Sequence, residues 1–328
     1  MRYVIYGAGA IGGTIGGLLQ DADHDVALIA RGEHLEQLRR SGLRLQRPDA
    51  DQTYRIAAYA APQEAAISSD DVVVMAMKTQ HTLAALDALA EIAPHDVTVV
   101  CAQNGVENER LALRRFPRTY AMCVMLPADH LEPGVVRAYG SPRAGILDVG
   151  RYPFGVDETA QRIANDLEGS GFSAEAIEEP MRIKYGKLLI NLHSALQALG
   201  GDAAQKSGLA TKARQEANVV LEAAGIPVAT PEEDARRREG VMAHAEVGGK
   251  PRDGGSSWQS LARGTGSIET DYLNGEIVLL GRLHGIPTPI NEGLQHLARW
   301  AATRRIEPGE LSVAELEERV LADSIDGQ

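Results

Sequence analysis

The stretch "YVIYGAGAIGGTIGGLL" (residues 3–19) contains the pattern that indicates the fold of the N-terminal half. A short β-type run is followed by glycines at positions 7, 9 and 12 and then by an apolar run of helical character, and a second β-type run, "HDVALIAR", begins at residue 24. In such a strand–turn–helix–strand unit, a G-x-G-x-x-G pattern allows a tight turn, the close approach of a pyrophosphate and close helix–strand packing. The pattern therefore predicts a Rossmann-type dinucleotide-binding domain with Gly7, Gly9 and Gly12 as its cofactor-binding glycines and the phosphates on the N-terminal amides of the helix.

The end of the second β-type run indicates which dinucleotide is bound. NAD-binding domains usually place Asp or Glu there, whereas this chain has Arg31. An arginine matches a 2′-phosphate, which an acidic residue would repel, so the predicted cofactor is NADP(H). Glu33, two residues later, has the opposite charge, and a merely solvated Arg31 is the alternative.

Two further β-type runs, "DDVVVMAMK" (residues 70–78) and "DVTVVCAQNG" (residues 96–105), each follow a helical stretch, as a parallel doubly wound sheet requires. Lys78 and Asn104 come directly after the apolar part of these runs. Functional residues of such sheets collect at the carboxyl ends of the strands, so both are predicted to contribute to the site. The alternatives are a solvated lysine that opens a helix and an ordinary Asn-Gly turn.

Length and periodicity indicate two domains, 1–179 and 180–328, in the chain of 328 residues. The second is predicted to be all-α, because its apolar residues recur at helical spacing. Helices are predicted over residues 181–200, 208–225, 231–246, 267–285, 290–305 and 313–322. The charged stretch "EEDARRREG" is interpreted as a solvated helix face, and the glycine-rich residues 248–257 as a loop.

Composition excludes several classes of function. A formal net charge of −12 argues against nucleic-acid binding, which requires a dense basic surface. The sequence shows neither an apolar run of about 18–20 residues nor a secretory signal, so a cytoplasmic protein without a membrane partner is expected. Cys101 and Cys123 lie in apolar runs and are interpreted as reduced, buried thiols, and the residues give no indication of a metal site.

The stretch "KYGKLLINLHSALQALGG" (residues 184–201) raises a question about the helical half. Its leucines recur at helical spacing, while Lys184, Lys187, Asn191 and Ser194 are three or four residues apart and would share one face. This polar stripe is either solvated or part of a site in a cleft.

Five motifs are spread over residues 7–291: "GAGAIGG", "MKTQ", "AQNGVEN", "YGKLLINL" and "GSIETDYLNGEIVLLGRLHGIPTPIN". Together they resemble the ketopantoate (2-dehydropantoate) 2-reductase family. The resemblance implies a Rossmann-type α/β domain followed by an all-α domain like the C-terminal domain of 6-phosphogluconate dehydrogenase. It further implies an NADPH-dependent reduction of a 2-oxo acid to a 2-hydroxy acid, with the site between the domains.

The resemblance also implies roles for individual residues. Lys187 matches the family's catalytic lysine, and Glu269 the glutamate beside the cofactor and catalytic centre. Asn191 and Ser257 match substrate-binding residues, Ser257 binding the substrate carboxylate. Lys78 and Asn104 match cofactor-side residues, with Asn104 also touching substrate; the polar stripe is then interpreted as facing the site.

Two positions depart from the family pattern. Ala195 stands where a further asparagine is common, and Trp258 follows the carboxylate-binding serine in "SSWQS". Trp258 is interpreted either as a residue beside the substrate carboxylate or as a packing residue. Ketopantoate is therefore the expected substrate, with a reductase of another 2-oxo acid or of an imine as the alternative. A non-catalytic NADP sensor is a third hypothesis, which the presence of both Lys187 and Glu269 disfavours. A homodimer is the expected assembly.

Overall fold

The computed structural model describes residues 1–323. Contacts group these residues into two compact units. The first comprises Met1–Lys184 and Thr230–Arg252, and the second comprises Tyr185–Ala229 and the described residues from Asp253 onward. The predicted domain boundary between residues 179 and 180 stays a prediction.

A mostly parallel sheet forms the centre of the first unit. Its middle strands are buried valine, isoleucine and leucine runs, as expected for a sheet covered on both faces. All neighbouring strands are parallel except the two at one edge, β12 and β8, which are antiparallel. In spatial order the strands in the described part of the chain are β12 (Ile146–Arg151), β8 (Thr119–Met125), β7 (Thr98–Cys101), β6 (Val72–Met75), β1 (Tyr3–Tyr6), β2 (Val26–Ile29) and β5 (Ala57–Tyr59).

Two smaller sheets complete the strands of this unit. One packs against α1 (Ala10–Asp21), the helix that follows the glycine turn. Its strands in spatial order are β4 (Asp51–Tyr54), β3 (Leu43–Gln46), β10 (Val135–Ala138) and β9 (Ala128–Glu132). The other pairs β11 (Gly140–Pro142) with β13 (Met242–His244). The α/β character predicted for the N-terminal half is confirmed.

The remaining helices of the first unit lie beside the main sheet or contribute to its loops. They are α2 (Gly32–Ser41), α3 (Thr82–Ala90), α4 (Asn108–Leu113), α5 (Glu158–Gly169) and α9 (Pro231–Arg238). A single-turn 3₁₀ helix at Thr79–His81 precedes α3.

The second unit is helical, as predicted. Its core consists of buried leucines and alanines on facing helices, such as Leu196, Leu294 and Ala298. The helices are α7 (Ser194–Gln205), α8 (Gly208–Ala223), α10 (Ser256–Ala262), α11 (Asn274–His284), α12 (Pro289–Arg304) and α13 (Val313–Asp323), and α6 (Pro180–Asn191) spans the boundary between the units. None of the helices within residues 1–323 has the length and apolarity needed to cross a bilayer.

Three of the predicted helices are wrong in their extent. The helix predicted over 267–285 begins only at Asn274, after a 3₁₀ turn at Glu269–Tyr272. The helix predicted over 181–200 ends at Asn191, and a turn at residues 192–193 separates it from α7. The helix predicted over 231–246 ends at Arg238 and is followed by β13. The predicted loop at 248–257 overlaps α10, which begins at Ser256.

The segment that carries α9 belongs to the first unit because two ion pairs hold it there. Arg237 makes a bidentate pair with Asp148 on β12, with distances of 2.6 and 2.9 Å, and Asp148 is buried. Arg182 donates to Glu233 at 2.6 Å. The interpretation of this helix as a solvated face is therefore wrong for Arg237, since its charge has a buried partner.

Candidate functional site

The three glycines of the N-terminal pattern occupy three different environments. Gly7 has a φ of +103°, and a Cβ added there would lie 2.7 Å from the Met77 backbone nitrogen. A Cβ at Gly12 would lie 2.1 Å from the Gly7 carbonyl oxygen, so no side chain fits between α1 and the turn. A Cβ at Gly9 would meet nothing closer than an edge carbon of His130, at 3.9 Å. A side chain would therefore not fit at Gly7 or Gly12, whereas there is free space beside Gly9, which precedes the first turn of α1.

A cleft of about 400 Å³ opens beside this turn. Gly7 and Gly9 line it together with Arg31, His34 and His130. Gly9, which lines the cleft, directly precedes the first helical amides of α1, and such amides favour negatively charged ligands.

Arg31 lies at the mouth of the cleft, at the position that precedes α2. Its backbone is extended, with φ −136° and ψ 159°, and the residue is exposed. Arg31 lies close enough to Tyr6 to oppose the effect of burial, which raises the pKa of that phenol. Glu33, the residue of opposite charge, is exposed in the first turn of α2.

His34 is a cleft residue that the sequence did not indicate. Its Nδ1 accepts the Gly134 backbone N–H at 2.9 Å, so Nε2 carries the proton and donates to the Ala8 carbonyl at 2.7 Å. Burial lowers the pKa of the imidazole, which fits this neutral form. The His34 ring lies 4.1 Å from the His130 ring, centroid to centroid. His34 therefore connects the glycine turn, through Ala8, to the four-stranded sheet, because Gly134 lies between β9 and β10.

Lys78 and Asn104 follow β6 and β7, the neighbouring strands that were predicted to carry them. Lys78 precedes the 3₁₀ turn with an extended backbone (φ −64°, ψ 143°). Asn104 precedes Gly105, whose φ of +76° makes the turn. Both side chains are partly buried.

A set of buried polar groups lies beneath these two strand ends. The Gln103 side-chain amide donates to the Met77 carbonyl at 2.9 Å and to Thr82 Oγ1 at 2.7 Å. Asn108 accepts from Thr82 at 2.7 Å and donates to the Asn104 carbonyl at 3.1 Å. We call this set the strand-end cluster; its members are Thr82, Gln103, Asn108, Glu109 and Lys184.

Lys184 does not belong to a solvated or site-facing stripe. Its Nζ lies 2.5 Å from Glu109 Oε1, and both side chains are almost fully buried. Burial raises the pKa of Glu109, and the neighbouring ammonium opposes this effect. The stripe is also interrupted, because Ser194 begins the next helix. Lys184, Lys187 and Asn191 do share α6 with the predicted spacing, whereas the prediction of one common face is wrong for Ser194.

The other predicted residues of the helical half lie in the second unit. Lys187 and Asn191 are one turn apart on α6 and partly buried. Ser257 lies in the first turn of α10, and Glu269 begins a 3₁₀ turn; each is 3% exposed. The first turn of α10 is held by Gln197, whose side-chain oxygen accepts the Gly255 N–H at 2.9 Å.

Arg263 is a charged neighbour of Glu269 that the sequence did not indicate. Burial lowers the pKa of its guanidinium, and Glu269 opposes that effect. The helical unit therefore places a cation near the buried Glu269 carboxylate.

A second buried polar set lies where α6 ends. Asn291 is fully buried; its amide donates to Glu216 at 2.8 Å and accepts from Asn274 at 3.1 Å. Asn274 also donates to the Leu192 carbonyl at 3.3 Å, the residue after Asn191. Glu216, Asn274 and Asn291 are named the helix-break cluster, because they hold the chain at the break between α6 and α7.

The two positions that depart from the family pattern have different surroundings. Ala195 is a buried member of the helical core. Trp258 packs against the same core, and its ring covers Gly254, where an added Cβ would lie 2.4 Å from the indole Cγ. Trp258 therefore has a packing role, which was one of its two interpretations.

Cys101 and Cys123 are buried thiols, and no cluster of three or more potential metal-binding side chains occurs among residues 1–323.

Comparison with known proteins identifies the family. Residues 3–153 match the family Ketopantoate reductase PanE/ApbA, and residues 181–301 match its C-terminal domain. The chain is 28% identical over 297 residues to the 2-dehydropantoate 2-reductase of Pyrococcus horikoshii, covering 89% of this chain and 94% of the relative.

Solved structures of the same fold extend over almost the whole chain. A PanE/ApbA family ketopantoate reductase from Ralstonia eutropha superposes with a TM-score of 0.77 at 28% identity, covering 93% of this chain and 99% of the other. A D-mandelate dehydrogenase in ternary complex with NADH and anilino(oxo)acetate has a TM-score of 0.78, with the same coverage, but only 22% identity, and shows the fold alone. The chain belongs to the ketopantoate reductase family, and it is an oxidoreductase of the class that acts on CH–OH groups with a nicotinamide cofactor.

Proposed function

We propose that the protein reduces a 2-oxo acid to the 2-hydroxy acid with NADPH, and that the substrate is ketopantoate, which yields pantoate, or a close analogue. One observation carries the proposal most directly: the glycine turn opens onto a cleft that bears Arg31. The family relationship and the presence of Lys187 and Glu269 support the same reaction.

The residues around the cleft fit a dinucleotide with a 2′-phosphate. Gly9 leaves space where a pyrophosphate would approach the amides of α1, and Gly7 and Gly12 form the turn. Arg31 would pair with the 2′-phosphate by charge-assisted hydrogen bonds. Lys78 and Asn104, at the two neighbouring strand ends, would complete the cofactor side.

The reaction requires a proton donor for the carbonyl oxygen. The reduced nicotinamide ring supplies a hydride to the carbonyl carbon when it is bound. Lys187 would stabilise the negative charge that develops on the oxygen and donate the proton that forms the hydroxyl group. Its compact ammonium group carries three donors, so it can serve both purposes.

Neutral and acidic side chains would orient the substrate around Lys187. Asn191 and Asn104 would donate to the substrate, and the Ser257 hydroxyl would hold its carboxylate. Glu269 would balance the positive charge of the catalytic centre, where Arg263 adds a second cation near this carboxylate.

Two departures from the family pattern, at Ala195 and Trp258, point to one alternative substrate class. Ala195 cannot donate a hydrogen bond, and Trp258 lies next to Ser257 in the first turn of α10. A 2-oxo acid with a different side chain from ketopantoate is therefore the second candidate. An imine reductase is disfavoured by the membership of the chain in the ketopantoate reductase family. A non-catalytic NADP sensor is disfavoured because it would not require Lys187.

We also propose a homodimer. Leu279 and Leu283 on α11 and Val219 on α8 are exposed apolar side chains on two helices that contact each other. A second copy of the chain would cover them. Light scattering of the purified protein tests this proposal, and a monomer at micromolar concentration would contradict it.

The substrate proposal is tested by measuring NADPH oxidation with ketopantoate and with a panel of other 2-oxo acids and cyclic imines. Fast turnover of ketopantoate is expected. Turnover of another 2-oxo acid alone would assign the second candidate, and tight NADPH binding without turnover of any compound would revive the sensor hypothesis.

Lys187→Ala tests the catalytic role. We expect kcat to fall by about 10²–10⁴-fold, because a positioned proton donor contributes that much, while the NADPH dissociation constant stays nearly unchanged. Wild-type turnover in this variant would contradict the mechanism.

Arg31→Asp tests the cofactor. The substitution replaces a partner of the 2′-phosphate with a repelling charge, so the ratio of kcat/KM for NADPH to that for NADH should fall by at least about tenfold. Glu33→Gln is the matched control, and an unchanged ratio in Arg31→Asp would exclude contact with the phosphate.

A further inference from the structure

The strand-end cluster holds the backbone on both sides of Asn104. The Gln103 carbonyl accepts a hydrogen bond from Lys184 Nζ at 2.9 Å, and the Asn104 carbonyl accepts one from Asn108 Nδ2 at 3.1 Å. The following residue, Gly105, has a φ of +76°, a conformation that suits glycine. The position of the Asn104 backbone is therefore determined by two side chains and one glycine.

The same cluster links this loop to the one that carries Lys78. Gln103 donates to the Met77 carbonyl, directly before Lys78. Asn108 donates to Thr79 Oγ1 at 3.3 Å, directly after Lys78. The strand ends that bear the two proposed cofactor residues thus share one network of hydrogen bonds.

Lys184 acts in this network as a structural donor. An ammonium group has three N–H donors, and Lys184 has three acceptors: Glu109 at 2.5 Å, the Gln103 carbonyl at 2.9 Å and the Met122 carbonyl at 3.4 Å. Its side chain is 3% exposed, and that of Glu109 is 0% exposed. Lys184 therefore has no proton to offer a substrate, in contrast to the role proposed for Lys187.

We propose that Lys184, Glu109 and Asn108 are positioning residues that fix the Asn104 backbone, with Glu109 as the counter-ion of Lys184. The side chain of Asn104 is thereby oriented for the nicotinamide and the substrate. This inference rests on the proposed function, because it assigns Asn104 to the reacting end of the site. Loss of either hydrogen bond then lowers turnover even where the fold is retained.

The test uses three variants and their kinetic constants. Lys184→Met/Glu109→Leu removes both charges together, and such a replacement can leave stability close to that of the wild type. Asn108→Ala removes the hydrogen bond on the other side of Asn104. Arg237→Met/Asp148→Leu is the control, since it removes a largely buried ion pair elsewhere in the same unit.

We expect kcat/KM for the 2-oxo acid to fall by about 10–100-fold in both cluster variants, because a displaced contact group costs this much, and by less than about twofold in the control. Most of the loss should appear in kcat. An effect on kcat no larger than that of the control, in either cluster variant, would overturn the inference. If the double variant does not fold, Asn108→Ala decides alone.

The NADPH dissociation constant separates this inference from the proposed function. If the wild type binds NADPH but reduces no 2-oxo acid, the proposed function fails, and binding becomes the readout. Asn108→Ala should then weaken NADPH binding by about 3–10-fold, because Thr79, next to Lys78, loses a hydrogen bond. An unchanged constant would overturn the inference under those conditions too.

Discussion

The strand-end cluster and the helix-break cluster both lie next to a proposed substrate-binding asparagine, but they stabilise it by different electrostatic means. In the strand-end cluster the buried carboxylate of Glu109 is balanced by the ammonium of Lys184. In the helix-break cluster the carboxylate of Glu216 accepts the backbone N–H groups of Ile290 and Asn291, at 2.8 and 3.0 Å, in the first turn of α12. There the dipole of the helix provides the favourable potential.

The difference shows how much each cluster depends on a single partner. A full charge without its counter-ion is very costly in a buried site, whereas a carboxylate held by several amide groups loses its stabilisation in smaller steps. For Glu216 burial raises the pKa, and the surrounding N–H groups only partly reverse this. The strand-end cluster should therefore be the more sensitive of the two to single substitutions.

Among the three substitutions that test this difference, Glu109→Gln should lower the free energy of unfolding most. It leaves the Lys184 ammonium buried without a counter-ion, so the free energy of unfolding should fall by about 3–5 kcal/mol. Urea denaturation of the wild type, of Glu109→Gln and of Lys184→Met/Glu109→Leu measures this. The double variant should be more stable than the single one, and the reverse order would mean that the pair is not charge-coupled.

Glu216→Gln should have a smaller effect. Glutamine has one acceptor oxygen, so at least one N–H of α12 loses its bond, while removal of the half-buried charge returns part of the cost. A net loss of about 1–2 kcal/mol is expected from the same denaturation experiment. A loss as large as that of Glu109→Gln would contradict the proposed distinction between the clusters.

Glu233→Gln provides the more accessible reference, since this side chain is 34% exposed, and it should have the smallest effect. Hydrogen bonds from Arg182, and then from the Thr230 backbone, lower the pKa of Glu233 to about 2. Since a lowered pKa stabilises the fold only while the group is ionised, this contribution is present above the ordinary glutamate pKa of 4.5 and is lost as the pH falls towards 2. The melting temperature of the variant should be lower than that of the wild type by less than about 4 °C at pH 7. The two should converge between pH 4.5 and 2, and a constant difference would exclude the assignment.

Local sequence was sufficient to predict the glycine turn. Gly7, Gly9 and Gly12 determine the local backbone through their spacing, and the strands before and after them are short, buried apolar runs. The ends of β6 and β7 were likewise predictable, because Lys78 and Asn104 directly follow such runs. The helical character of the second half follows from its apolar periodicity in the same way.

The long-range partners were not predictable. Lys184 lies three residues before Lys187, and the sequence alone indicates a shared site for the two lysines. The ion-pair partner of Lys184, however, is Glu109, 75 positions away. Nothing in the local pattern distinguishes the buried lysine from the proposed catalytic one. His34 was missed for the same reason, since its hydrogen bond to the Gly134 N–H spans 100 positions.

The ends of the helices could not be predicted from the apolar periodicity either. The helical spacing of the leucines continues across the break, from Leu192 to Leu196, whereas α6 ends at Asn191 and Asn274 donates to the Leu192 carbonyl. The apolar pattern indicates which side chains are buried, but the break between α6 and α7 depends on Asn274, a residue of α11.

Transfer of deuterium from NADPH that carries deuterium in both C4 positions is the decisive test of the proposed reaction. With ketopantoate as substrate, mass spectrometry of the product should show one deuterium, bound to C2 of pantoate. Formation of pantoate without deuterium, or no pantoate at all from an enzyme that binds NADPH, would contradict the proposed hydride transfer.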